Sequence, residues 1–343
     1  MLVIGIDAHK RSHTAVAVDK LGRQQSVKTV GTTTKDSLGL LKWAAKLDEQ
    51  RLWAIEDCRH LSRRLERDLL AAGEKIVRVP PKLMANARDA ARTYGKSDPI
   101  DALAVARAVL REPNLPTACL DGIERDVRLL VDHREDLVAE RTRLIGRLRW
   151  HLHELAPEWE PPAKIERASA FDRIEQQLRS HTGTVARLAG NLVTHARALT
   201  TEIDQLSAEI RAIAQKIAPT LLAIPGCGAL TAAKIIGETA GVQRFHSKHA
   251  YARHNGTAPL PVWSSNRTRY RLSRTGNRQL NAALHRIALT QARCHPEARA
   301  MLDRRRSTGD GGMEALRILK RRLSDVIYRA MITDNQDPPS KTP

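Results

Sequence analysis

The chain opens on an apolar run, LVIGI, that stops abruptly at Asp7, and a second run, TAVAV, follows before a Gly turn. Short apolar runs bounded by turn residues predict two strands joined as a hairpin. QQSVKTV predicts a third strand. Residues 37–47 then place Leu38, Leu40, Leu41, Trp43 and Ala44 at largely helical spacing, and RLWAIE reads as a buried strand. A helix over about 60–72, the strand KIVRV, and a helix after Pro80 and Pro81 complete the pattern. The predicted order is three strands, helix, strand, helix, strand, helix, which is a mixed α/β arrangement.

That order suits a ribonuclease H-like fold, in which a hairpin-built sheet is extended by parallel strands with helices on its faces. From about Leu115 the pattern changes to long helices. Leu130, Leu137 and Leu144 recur every seven residues and lead into Leu148, Leu152 and Leu155. Leu192, Leu199, Leu206 and Ile213 form a second such series, with Ile203, Ile210 and Ile217 as its partner, so the two make an a/d seam. PEWEPP, residues 157–162, separates the two helices. The region predicts a coiled-coil arm, either one that joins subunits or a hairpin within one chain that spaces two end domains. Residues 219–331 predict a helical domain around an Arg-rich loop, and the polar tail 332–343 predicts disorder. The domain boundaries expected are therefore 1–114, 115–218, 219–331 and 332–343.

A chain of 343 residues exceeds what one core usually organises, in keeping with several domains. Lys and Arg outnumber Asp and Glu by 57 to 38, a net charge of +19, which points to a nucleic-acid partner. No apolar run is long enough to span a bilayer and no signal peptide is expected, so membranes are excluded as partners. Cys58, Cys119, Cys227 and Cys294 are scattered without metal-ligand spacing and are expected to be reduced, in the cytoplasm. His9, His13, His151 and His153 are read as surface histidines. At 3% aromatic content, base stacking cannot dominate recognition, and backbone charge must carry most of it.

Four acids fall at predicted element ends: Asp7 after the first strand, Glu56 after RLWAIE, and Asp98 and Asp101 three apart on the helix of KSDPIDALAVARAV. If the two strands are neighbours, all four share one edge. Each alone has an ordinary explanation as a cap, a first-turn acid or a solvated charge. Together they form the hard oxygen set that two Mg²⁺ ions need to clamp a phosphodiester. Farther on, IPGCGALTA predicts a helix-hairpin-helix-like turn whose glycines, Gly226 and Gly228, either cradle a phosphate or simply allow a tight turn. The loop after it places Ser264 and Ser265 among Arg267, Arg269, Arg271, Arg274 and Arg278. These serines are phosphate contacts or nucleophiles.

GIDAHK, AIEDC, KSDPIDA, IPGCGALTA and GTAPLPVWSSNRTRYRLSRTGNRQLNAALHRIA together resemble the DEDD transposases of the insertion-sequence "one-hundred-ten" family, over nearly the whole chain. Such enzymes, also called bridge-RNA-guided recombinases, join a RuvC-like nuclease domain, a coiled-coil linker and a transposase domain with a catalytic serine. The resemblance implies that Asp7, Glu56, Asp98 and Asp101 hold Mg²⁺ and that Ser264 is the nucleophile, with Ser265 where the family has a glycine. It further implies a structured guide RNA that pairs with donor and target DNA, and a homodimer that assembles into a homotetramer, one subunit's carboxylates completing the site around another's serine. A bacterial, nucleoid-associated protein is expected. Two other readings of the same residues are a metal-only endonuclease similar to Holliday-junction resolvases and a non-catalytic nucleic-acid-binding regulator.

Overall fold

The computed structural model describes residues 1–56, 61–90, 97–112, 115, 117–118, 122–264, 267–272 and 276–336. The chain divides into two compact units, Met1–Asp121 and Gly122–Pro343. The first holds a five-stranded sheet of β1 (Leu2–Ala8), β2 (His13–Val18), β3 (Gln24–Val30), β4 (Arg51–Glu56) and β5 (Ile76–Val79), in the order β3-β2-β1-β4-β5. β1, β2 and β3 form an antiparallel meander, while β4 runs parallel to β1 and β5 parallel to β4. This is the hairpin-built sheet with parallel extension that the hydrophobic pattern predicts.

Alternation along the strands feeds two cores. Ile4, Ile6, Ala15, Ala17, Trp53 and Ile55 pack under α1 (Thr34–Ala45) and α2 (Arg63–Ala71). Val3, Val16, Val18, Ala54, Val77 and Val79 pack under α3 (Pro81–Asp89) and α4 (Asp98–Arg111). α1 begins three residues earlier than the apolar pattern predicts, because Thr33 and Asp36 close a capping box that satisfies its first backbone donors. Gly5 sets how near α4 comes to the sheet. A Cβ there would lie 2.1 Å from the Ala102 carbonyl oxygen and 2.6 Å from the Ala106 nitrogen.

The second unit opens on α5 (Ile123–Leu155), α6 (Ala168–Leu178) and α7 (Thr184–Ile217). Val127 and Val131 pack with Ile210, Leu137 and Leu144 with Leu199 and Ile203, and Leu148 and Leu152 with Ala189 and Val193. Numbers rise on one helix as they fall on the other, so α5 and α7 form an antiparallel hairpin. The leucine series is thus closed within one chain. α6 was hidden behind the PEWEPP break; its Phe171 and Ile174 seal the far end of the hairpin.

α8 (Pro219–Leu222), α9 (Ala229–Thr239), a 3-10 turn, α10 (Lys248–His254), α11 (Arg278–Cys294), α12 (Pro296–Ser307) and α13 (Gly312–Gln336) follow, sharing a core that includes Tyr251, Leu284, Ile287 and Ile327. α9 ties this core to the hairpin. Its Ala233 joins Val127 and Ile210, and its buried Lys234 donates to Asp132 at 3.0 Å and Glu135 at 2.9 Å. One expectation needs correcting: the Arg-rich segment is a two-stranded antiparallel ribbon, β6 (Pro259–Ser264) and β7 (Arg267–Leu272), and not a loop in an all-helical domain. Its signal lay in the alternation RTRYRL, a period-two pattern overshadowed by the charge.

Gly5→Ala is expected to destabilise the first unit by about 1–3 kcal/mol, since the added methyl would force α4 off β1. Denaturant unfolding monitored at Trp53 measures this, and an unchanged midpoint would show that α4 does not depend on that contact.

Candidate active site

Asp7 stands next to the end of β1 and Glu56 ends β4. The parallel register, Gly5 with Ala54 and Ile6 with Ile55, brings both acids to the carboxyl ends of adjacent strands on the face that α4 covers. α4 begins at this edge, with Asp98 and Asp101 in its first turn and Pro99 where an intrahelical donor is not needed. Asp7 and Asp101 are buried, while Asp98 is half exposed. The structure therefore gathers all four predicted acids.

Two basic side chains join them. His9 Nε2 lies 3.1 Å from Asp7 Oδ2 and 3.3 Å from Asp98 Oδ1. Arg88 of α3 donates to Asp101 Oδ1 at 3.1 Å. Burial raises the pKa of Asp7 above the usual carboxylate range; His9 opposes the rise, and Asp101 and Asp98 add to it. Burial likewise raises Glu56, followed by the charges of Asp7 and Asp101, with His9 and Arg88 pulling the other way. The acids feel one another as a single electrostatic cluster.

One ligand atom each from Asp7, His9 and Asp98 lies within 4.8 Å of the others. Carboxylate oxygens with one imidazole nitrogen suit a divalent cation. Such an ion would offset the repulsion that burial makes costly. Sequence reasoning missed His9 and Arg88. It placed His9 and His13 at the surface; His9 is exposed there and faces the acids, whereas for His13 the expectation needs correcting, because the β1–β2 hairpin pairs it with Ala8 and buries it. For His9 a signal existed, since it follows Asp7 by two residues, the period that keeps strand side chains on one face. For Arg88 there was none, because its contact depends on how α3 lies beside α4.

The other predicted residues lie in the second unit. Gly226 has φ of +84°, and a Cβ there would sit 3.0 Å from Thr290 Cβ, so tight packing against α11 explains it; Gly228 precedes α9 in open space. Ser264 ends β6 opposite Arg267, and Arg267, Arg269 and Arg271 occupy alternate positions of β7. The side chains of these four residues, and all of Ser265 and Arg274, lie outside the described residues. Cys227 is buried, and burial pushes its thiol up to about 12, which makes it inert.

Family comparison covers both units. The DEDD transposase of IS110, described as "Transposase", matches residues 4–157, and "Transposase IS116/IS110/IS902 family" matches residues 218–303. The chain is 27% identical to an insertion element IS116 protein of Streptomyces clavuligerus, itself described as uncharacterized, covering 97% of this chain and 95% of that one. It is 26% identical to an IS900 protein of Mycobacterium paratuberculosis, likewise described as uncharacterized, covering 96% and 95%. Among solved structures, "T. thermophilus RuvC in complex with Holliday junction substrate" aligns over 34% of this chain and 99% of its own, at 16% identity and a TM-score of 0.28, too slight a likeness to bear on function. The chain belongs to the IS110/IS116/IS902 family of insertion-sequence transposases and is an enzyme that cuts and recombines DNA. Among the described residues no helix is long and apolar enough to cross a membrane.

Without added metal, Asp7→Asn is expected to raise the melting temperature at pH 7 by roughly 2–4 °C, because it removes one charge from a repelling, buried set. The sign with pH follows from the raised pKa: the folded chain takes up this proton at a higher pH than the unfolded chain, so the penalty fades as pH falls. The gap between variant and wild type should therefore narrow as pH falls. Mn²⁺ should stabilise the wild type more than the variant. Calorimetric scans at several pH values, with and without Mn²⁺, would count against the cluster if the two proteins melted alike throughout.

Proposed function

We propose that the chain is an RNA-guided recombinase of its insertion sequence, in which Asp7, Glu56, Asp98 and Asp101 hold divalent metal and Ser264 attacks the DNA backbone. The observation that carries this reading is the gathering of the four acids at the ends of β1 and β4 and the start of α4. A bound ion of the Mg²⁺ kind would stabilise charge on the attacking and leaving oxygens of the phosphodiester.

The protein's own residues do the rest. Ser264 Oγ forms a bond to phosphorus while the bond from phosphorus to the departing deoxyribose oxygen breaks, and the proton lost from Oγ ends on that departing oxygen as a hydroxyl. The resulting serine–DNA ester conserves the phosphodiester bond energy, so strands can be rejoined without ATP. Arg267, Arg269 and Arg271 on β7, with Arg274 beyond it, are assigned to the phosphates around the serine, and the turn of Gly226 and Gly228 to the backbone farther along. His9 and Arg88 hold the acids apart and oriented.

Sequence choice is assigned to a structured guide RNA. The net charge of +19 supports this, because an assembly of two duplexes and an RNA carries a heavy negative charge. A dimer that assembles into a tetramer brings one subunit's acids to another's serine. The domain plan proposed is a nuclease domain at 1–114, the arm at 115–218, the transposase domain at 219–331 and a tail at 332–343. A metal-only nuclease is the second reading, favoured by the fact that all four acids and His9 sit within the first unit by themselves.

Wild-type protein, copurified RNA, donor and target DNA and Mg²⁺ should yield a protein–DNA adduct stable to denaturing electrophoresis. Ser264→Ala should abolish both adduct and recombination, a loss of at least 10³-fold on the order seen for removed nucleophiles. Adduct-free, metal-dependent cutting by both proteins would favour the nuclease instead.

A further inference from the structure

The second unit contains a basic cleft that the carboxylate site does not use. Its volume is about 390 Å³, and Gly276, Arg278, Asn281 and His285 line one side while Arg317 and Lys320 of α13 line the other. Lys320 is only 7% exposed. Its Nζ donates to Asn281 Oδ1 at 2.6 Å, and among the described residues no carboxylate pairs with it. The undescribed stretches of the adjoining ribbon, 265–266 and 273–275, contain no acid either.

The same unit shows what a paired buried lysine looks like. Lys234, 4% exposed, meets both Asp132 and Glu135. Lys320 meets an amide, and Arg317 and Arg278 line the same cleft. A buried ammonium among like charges costs stability unless an anion arrives to offset it. Burial and then Arg317 lower the pKa of Lys320, and burial and then Lys320 lower that of His285, as expected for a cluster lacking a counter-charge.

The cleft lies at the root of the ribbon. Asn281 donates to the Asn255 carbonyl at 2.8 Å, and Asn255 donates to Ser324 Oγ at 2.7 Å and accepts from Thr257 Oγ1 at 2.6 Å. On the return side, Gly276 lies so near Gly256 that a Cβ would sit 2.3 Å from its nitrogen. Asn277 N then donates to the His254 carbonyl at 2.7 Å. Both ends of the segment that carries β6 and β7 are therefore tied to the wall holding Lys320.

We propose that this cleft binds a backbone phosphate of the DNA that the ribbon engages, with Lys320, Arg278 and Arg317 as its donors. The site rests on DNA binding by this enzyme and is independent of the serine chemistry. Neutralising the phosphate would relieve the buried lysine and fix the root of the ribbon against the duplex.

The test uses the full chain, wild type against Lys320→Met and Lys320→Arg. In phosphate-free buffer, Lys320→Met should melt at or above the wild-type temperature, since a buried unpaired charge has been replaced by an apolar chain of similar length. Its affinity for a fluorescent DNA duplex should fall roughly tenfold at low salt, and the slope of log affinity against log salt should drop by about 0.9. Lys320→Arg should keep most of both. A variant that melts lower and binds DNA normally would make Lys320 a structural strut and overturn the proposal. Inorganic phosphate stabilising the wild type, with DNA binding unchanged in Lys320→Met, would reassign the cleft to a free anion. Weakened binding of RNA alone would reassign it to RNA. Wild-type protein that binds no DNA would instead overturn the underlying reading.

Discussion

The carboxylate site depends on how closely α4 can lie against β1, and that distance is set where Gly5 leaves room for the Ala102 carbonyl. Any side chain there would lift the helix. With the helix down, its first turn reaches the ends of β1 and β4, and Asp98 and Asp101 meet Asp7 and Glu56. The alanines at 102, 104, 106 and 108, all buried, continue the same logic along the helix. Small residues replace volume by proximity, and the site is built from what proximity permits.

Each unit gathers charges that repel. In the first they are negative and partly buried, with His9 and Arg88 as partial counterweights; in the second they are positive, with Lys320 beneath Arg317 and Arg278. A fold selected for stability alone would pair or exclude such groups, as this one does at Lys234 and at buried Glu66, which pairs with Arg78. A transposase's substrate is an anionic phosphodiester, which would offset the positive set, while the acids would be offset by a cation. The antiparallel hairpin of α5 and α7 closes its leucine seam internally.

The ribbon of β6 and β7 is anchored at its root in the second unit. Its ends are drawn together by Asn255, Gly276, Asn277 and Asn281, each satisfied by hydrogen bonding or close contact. A ribbon anchored in that way can engage a duplex without large loss of entropy on binding.

The sequence by itself determined the order of elements in the first unit, the direction of the sheet, the two long helices and the four acids. Those features follow from local periodicity and from polar residues interrupting apolar runs, and both are visible one segment at a time. Tertiary structure alone decided the rest. His9 joins the acids because a hairpin turns it back, Arg88 because α3 lies beside α4, and Lys320 meets the Asn281 amide because α11 packs against α13. The leucine seam pairs within the chain because α7 returns along α5. Contacts between residues far apart in the chain depend on packing geometry, and the periodicity of a single segment carries no record of its neighbour.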